Sequence, residues 1–325
     1  TDHADITDIG TEFGVEVKAG NVTATVITGE IEMNVPGSAP QRLTQDQTAQ
    51  LRVNGVNRKL QIKDQLAQGF EALLPRRRLA EALRNDPAMI AYWGFEAEDI
   101  VDGKLLNRAA ATLGKMDGTL GQTGKPDSSP TLTEGRSPGT KALRFEAEEF
   151  DLVRVSQEDA KAIDGLEQFT IGVWVKPDHM DQMSHHLVTK RVAGGRDALN
   201  FGLSWDGTGG GYAPNTVFFE GRMGQSNDAE ADSLHRRSAW MHLVVTYDRG
   251  ERSIYLDGAL IERLPRQDAD RLTAVDAELL IGAAAPHQID TGTYLDGDLD
   301  ELFILGRSMS ADEITTLYEP GVTQP

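Results

Sequence analysis

The chain has no cysteine. Its fold therefore stands without disulfides, and thiol nucleophiles and thiolate metal sites are excluded. Basic residues are scarce: Lys+Arg number 32 against 51 Asp+Glu, a formal net charge of −19. A nucleic-acid binder needs a basic footprint, and anionic membrane surfaces attract basic segments, so neither partner fits. The acidity favours solubility and suits cations, but it specifies no ligand. No apolar run is long enough to cross a bilayer. There is no phosphate loop, catalytic triad or metal motif of diagnostic spacing. His185 and His186 are adjacent, and on a strand they point to opposite faces, which is poor chelating geometry. The chain begins at Thr1, without initiator methionine or signal peptide, in strand-rich sequence. The expectation is that upstream sequence has been removed.

What is present is β patterning over a length of 325 residues, enough for two domains. Residues 1–53 alternate apolar and polar positions around Val15, Val17, Val22–Ile27 and Glu30–Val35, with Gly20-Asn21 and Thr28-Gly29 as turns. Residues 54–88 change character. Leu60, Ile62, Leu66, Phe70, Leu73 and Leu74 fall near a helical period, so a helical linker is expected. Residues 89–325 carry many short strands separated by Gly, Asp and Pro turns, the pattern of a two-sheet sandwich. The clearest stretch runs from Trp240 to Gly258. There one strand, apolar on both faces, turns at Asp248-Arg249-Gly250 into Ser253–Leu256, and Asp257-Gly258 begins a second hairpin. Near the end, Ser310 and Glu313 form a capping box for a short helix.

Several segments together resemble the bacterial form of the laminin-G-like, concanavalin A-like jelly-roll family. They are Ala91–Glu96, Ala142–Phe145, Phe169–Pro177, Trp240–Gly258 and the closing Gly297–Ile304. The resemblance implies an all-β fold, a two-sheet antiparallel jelly-roll sandwich, with Trp93, Trp174 and Trp240 at core positions rather than as sugar-stacking platforms. Ile6–Val15 with Val22–Val35 is similar to the C-terminal half of the FecR family, periplasmic regulator domains found in bacterial envelope proteins. The implied organisation is a partial FecR-like segment (1–53), a linker (54–88) and the jelly roll (89–325).

Resemblance to related sandwiches implies a structural calcium site at Glu96, Asn107 and Asp300. First and last strands are neighbours in a jelly roll, so Glu96 and Asp300 would repel each other unless a cation sat between them. The alternative is that Asp300-Glu301 caps loops or pairs with Arg307. Trp205 and Tyr212 flank a Gly-rich stretch that would edge a ligand groove. Glu146–Glu149 and Asp298–Glu301 lack the alternating carboxylates of the hydrolases in this superfamily, so no enzyme activity is expected. The resulting expectation is an extracytoplasmic recognition or adhesion protein for carbohydrate or an envelope partner. Three other functions stay open: a structural subunit self-associating through its N-terminal strands, a FecR-type signalling regulator, and a glycoside hydrolase.

Overall fold

The computed structural model describes residues 4–8, 12–18, 21–54, 57–64, 81–122, 125, 127–136, 140–178, 185–191, 199–206, 216–221, 226–230, 239–264, 271–272, 274–284 and 293–318. The chain divides into two compact units, Thr1–Glu81 with Pro320–Pro325, and Ala82–Glu319.

The first unit holds β1 (Asp5–Asp8), β2 (Glu12–Lys18), β3 (Asn21–Thr28), β4 (Glu30–Asn34), β5 (Gln41–Thr44), β6 (Thr48–Asn54) and β7 (Asn57–Lys63). They form two antiparallel sheets, β1-β4-β5 and β2-β3-β6-β7. Alternation decides what is buried. Val22, Ala24 and Val26 of β3, Ile31 and Met33 of β4, and Ala49 and Leu51 of β6 share one core. The strand β7 corrects the expected helical linker. Its Arg58↔Val53 and Leu60↔Leu51 pairing makes it the return of a hairpin from β6. Leu60 and Ile62 are two residues apart, so on a strand they share one face and both pack on that core. Leu66 to Leu74 lie outside the described residues. Residues 81–84 are helical.

The second unit begins with β8 (Met89–Trp93), β9 (Ile100–Val101), β10 (Lys104–Leu105), β11 (Gly118–Leu120), β12 (Thr131–Glu134), β13 (Lys141–Phe145) and β14 (Val153–Val155). It continues with β15 (Gln168–Pro177), β16 (His185–Arg191), β17 (Leu199–Asp206), β18 (Thr216–Gly221) and β19 (Ser226–Glu230). It ends with β20 (Met241–Asp248), β21 (Glu251–Leu256), β22 (Ala259–Leu264), β23 (Leu279–Ile281) and β24 (Gly297–Leu305). A nine-stranded sheet has the order β19-β18-β17-β16-β23-β14-β11-β10-β9. An eight-stranded sheet has the order β12-β13-β24-β15-β20-β21-β22, with β8 also paired to β24. The fold is the all-β, antiparallel jelly-roll sandwich. The two sheets meet through Val153, Val155, Leu279 and Ile281 on one side and Ile171, Val173, Leu243 and Val245 on the other. Each such fully buried side chain contributes about 1.5–3 kcal/mol.

The other face of the eight-stranded sheet carries a second apolar cluster: Tyr92, Val244, Tyr255, Phe303 and Leu305. The helix Ala311–Tyr318 covers it through Ile314 and Leu317. Ser310 Oγ accepts from the Glu313 N–H, and the Glu313 carboxylate accepts from the Ser310 N–H at 2.8 Å, which starts this helix as expected.

Candidate functional site

The closing strand β24 builds the most charged part of this face. In its pairing with β15, Gly172 faces Phe303 and Trp174 faces Asp300. Glu301 and Leu302 therefore share the place opposite Val173, and Glu301 sits at φ 47. That is a β-bulge, and it breaks the alternation of the strand. Leu299, Leu302 and Ile304 point into the main core. The adjacent carboxylates Asp300 and Glu301 are left on the same outer face.

Both reach Arg136, which follows the end of β12. Arg136 Nη2 is hydrogen-bonded to Glu301 Oε2, and its Nε lies 3.8 Å from Asp300 Oδ2. The Arg136 backbone N–H also donates to Asp300 Oδ2 at 3.2 Å. The guanidinium lies 4.5 Å from the ring centroid of Trp174. Tyr92 donates its hydroxyl to Glu301 Oε1 at 3.3 Å. Glu96 accepts from the Lys141 N–H at 3.0 Å. Burial pushes the Glu96 carboxyl from 4.5 to about 7; the Lys141 N–H pulls it back, while Glu98, Asp99 and Glu301 push the same way as burial. Burial and Glu301 push Asp300 well above the usual carboxylate range, against the pull of Arg136. Three carboxyl groups thus share one guanidinium here, and burial favours protons on two of them.

A second charged row lies beside it. Asp298 Oδ2 is 2.5 Å from Lys176 Nζ, and Asp298 Oδ1 is 3.6 Å from Arg144 Nη1. Arg144 also pairs with Asp178, and with Asp296 at 3.2 Å. Lys176 Nζ stands 5.2 Å from the ring centroid of Trp240. The Asp296 N–H donates to His185 Nδ1 at 3.3 Å, which ties this row to β16 of the other sheet. His185 pairs with Trp205 of β17. The ends of β13, β15 and β17 and the starts of β16, β20 and β24 therefore meet at one end of the sandwich. That end presents Arg144, Lys176, Asp178, Trp240 and Asp296.

The residues singled out in the sequence land as follows. Glu96 and Asp300 are each raised by burial and by the charge of Glu301. Asn107 is corrected. Its Oδ1 accepts from the Tyr92 and Ala109 N–H groups at 2.8 and 3.0 Å, and its Nδ2 donates to Thr112 Oγ1 and the Lys115 carbonyl. An amide oxygen with two acceptor positions, both taken, has none left for a metal. Arg307 pairs with Asp86 and Glu313 and not with Asp300-Glu301, so that pairing is corrected, while Asp300 does accept a loop N–H, that of Arg136. Trp93 is core as expected. Trp174 is on the outer face instead, stacked between Arg136 and His242, with Tyr318 alongside. Trp240 is half-buried just ahead of β20. The Trp205 side chain and Tyr212 lie outside the described residues. Arg136, Arg144 and Asp296 escaped the sequence reading. The one signal for the two arginines was a net negative charge in the closing motif that needed local cations; nothing in the sequence pointed to Asp296.

The family model for the concanavalin A-like lectin/glucanases superfamily matches residues 148–315. The chain belongs to this superfamily. As a concanavalin A-like sandwich it is similar to domain 4 of AbnA, a GH43 extracellular arabinanase from Geobacillus stearothermophilus, solved with arabinotriose. That likeness has 16% identity and a TM-score of 0.52, over 71% of this chain and 98% of that one. The botulinum neurotoxin serotype D ligand binding domain, in complex with N-acetylneuraminic acid, matches at 11% identity and TM-score 0.51, over 74% and 52%. A Trypanosoma rangeli sialidase matches at 13% identity and TM-score 0.50, over 95% and 53%. The chain spans about half the length of the toxin and sialidase chains. At these identities the likeness is one of fold. No curated protein matches the chain in sequence.

Proposed function

We propose that the jelly roll is a non-enzymatic, extracytoplasmic module that recognises carbohydrate at the end of the sandwich carrying Trp240. One observation carries the reading: a half-buried indole stands beside Lys176 at an end that also carries the charged groups Arg144, Asp178 and Asp296. A pyranose offers a C–H face that packs on an aromatic ring and hydroxyls that bond to carboxylates and guanidinium groups. The backbone of Trp205, paired with His185, reaches this same end. Similar folds solved with arabinotriose and with N-acetylneuraminic acid support carbohydrate as the ligand class. The carboxylates of β24 are engaged by Arg136, Arg144 and Lys176, which favours binding over hydrolysis. A glycan panel tests this. Saturable binding without turnover is expected, and Trp240→Ala should weaken it about tenfold or more, or about 1.4 kcal/mol. Hydrolysis abolished by Glu301→Gln would replace the module with an enzyme.

A second reading is a structural subunit of a cell-surface assembly. It is favoured by Val15 and Val17, 42% and 54% exposed on β2, the edge strand of its sheet. A FecR-like signalling role for the first unit rests on its sequence pattern alone.

A further inference from the structure

We infer that the guanidinium of Arg136 takes the place of a bound cation at the β24 bulge, so that this sandwich closes without calcium. The bulge sets Asp300 and Glu301 side by side on one face, and Glu96 of the opening segment adds a third carboxylate to the same field. Buried like charges at this spacing need a counter-charge. Calcium would supply it through about six to eight oxygen ligands. Asn107, the neutral oxygen the sequence offered, has its acceptor positions filled by the Tyr92 and Ala109 N–H groups.

Arg136 meets the need in another way. Its side chain is 13% exposed and its charge touches both bulge carboxylates. Its backbone N–H satisfies Asp300, and its flat face rests on Trp174. A guanidinium suits this position because it is planar, permanently charged and able to stack while it bonds in its own plane. It brings the charge from within the chain, so no ion is drawn from solution. The same contacts fasten the turn after β12 to the closing strand, 164 residues away in sequence. Without Arg136, the Glu96, Asp300 and Glu301 oxygens would be left with no cation but the protons that burial favours, and calcium, which selects such hard oxygen donors, would compete with those protons.

The test is thermal melting of the full chain with EDTA, with calcium and with magnesium as control. The wild type is expected to melt at the same temperature in all three. Arg136→Gln is expected to melt lower and to regain stability with the logarithm of the calcium concentration. Arg136→Lys keeps the charge and should stay indifferent to calcium, which keeps the test open if Arg136→Gln does not fold. Arg136→Gln combined with Glu301→Gln should recover part of the loss and respond less to calcium. A wild type that EDTA destabilises and calcium restores would overturn the inference. So would an Arg136→Gln protein that folds and ignores calcium, because protons and not Arg136 would then balance the bulge.

Discussion

Single side chains in this protein act through burial more than through reach. Glu96 is half-buried with one N–H bond to its carboxylate, and its pKa of about 7 follows from that. Its ordinary value is 4.5, so between pH 4.5 and 7 the folded chain holds a proton that the unfolded chain releases. Stability from this group is therefore highest below 4.5, declines as pH rises through that window, and is flat above it. Asp151, raised to about 6 by burial, adds a decline of the same sign. Melting temperatures of wild type and Glu96→Gln across this range separate the two groups. The difference between the curves should slope between pH 4.5 and 7 and level beyond; a flat difference throughout would show Glu96 titrating as it does in water. The acidic cluster was legible in the sequence as Glu96, Asp300 and Glu301. Its cation was not, because Arg136 sits in a turn, 164 residues from Asp300, and reads as an ordinary solvated arginine.

At the scale of elements, local pattern was readable where a strand pairs with the strand next to it in sequence. β20, β21 and β22 are consecutive hairpins, and the Trp240–Gly258 pattern outlines their core. β24 lies between β13 and β15, and no local signal reveals its bulge, because the extra residue is defined only against the β15 register. β7 was misread because two apolar residues at a spacing of two are too few to set a period, and the apolar residues after Lys63 extended a helical one. The pairing of β15 with β24 also explains Gly172. A Cβ there would fall inside the Phe303 ring, which is held under the apolar cluster of the outer face. Gly172→Ala should cost about 1–3 kcal/mol from overpacking. Urea unfolding is the measurement, and an unchanged m-value would show that the loss is in packing and not in the denatured state.

The two units have separate cores. One is drawn from Val22 to Leu51 and its neighbours, the other from residues 91 to 304. Neither core borrows a residue from the other, so each unit has its own reason to fold. Both units leave apolar residues on edge strands: Leu132 on β12 and Leu260 on β22 of the sandwich, and Val15 with Val17, two on one face, on the seven-residue β2. Natural edges are usually blunted by charge, proline or cover. Glu16 and Lys18 supply some charge on β2, but they pair with each other and leave the valine side apolar. If the structural-subunit reading holds, self-association runs through this strand and is independent of the carbohydrate end. Sedimentation of the full chain should then show concentration-dependent association that Val15→Lys with Val17→Lys removes. A chain starting at Ala82 should stay monomeric and still bind the glycan that the full chain binds. Association that survives in the Ala82 chain would place the contact on the sandwich. A full chain that stays monomeric at every concentration would leave β2 as an exposed edge with no part in assembly.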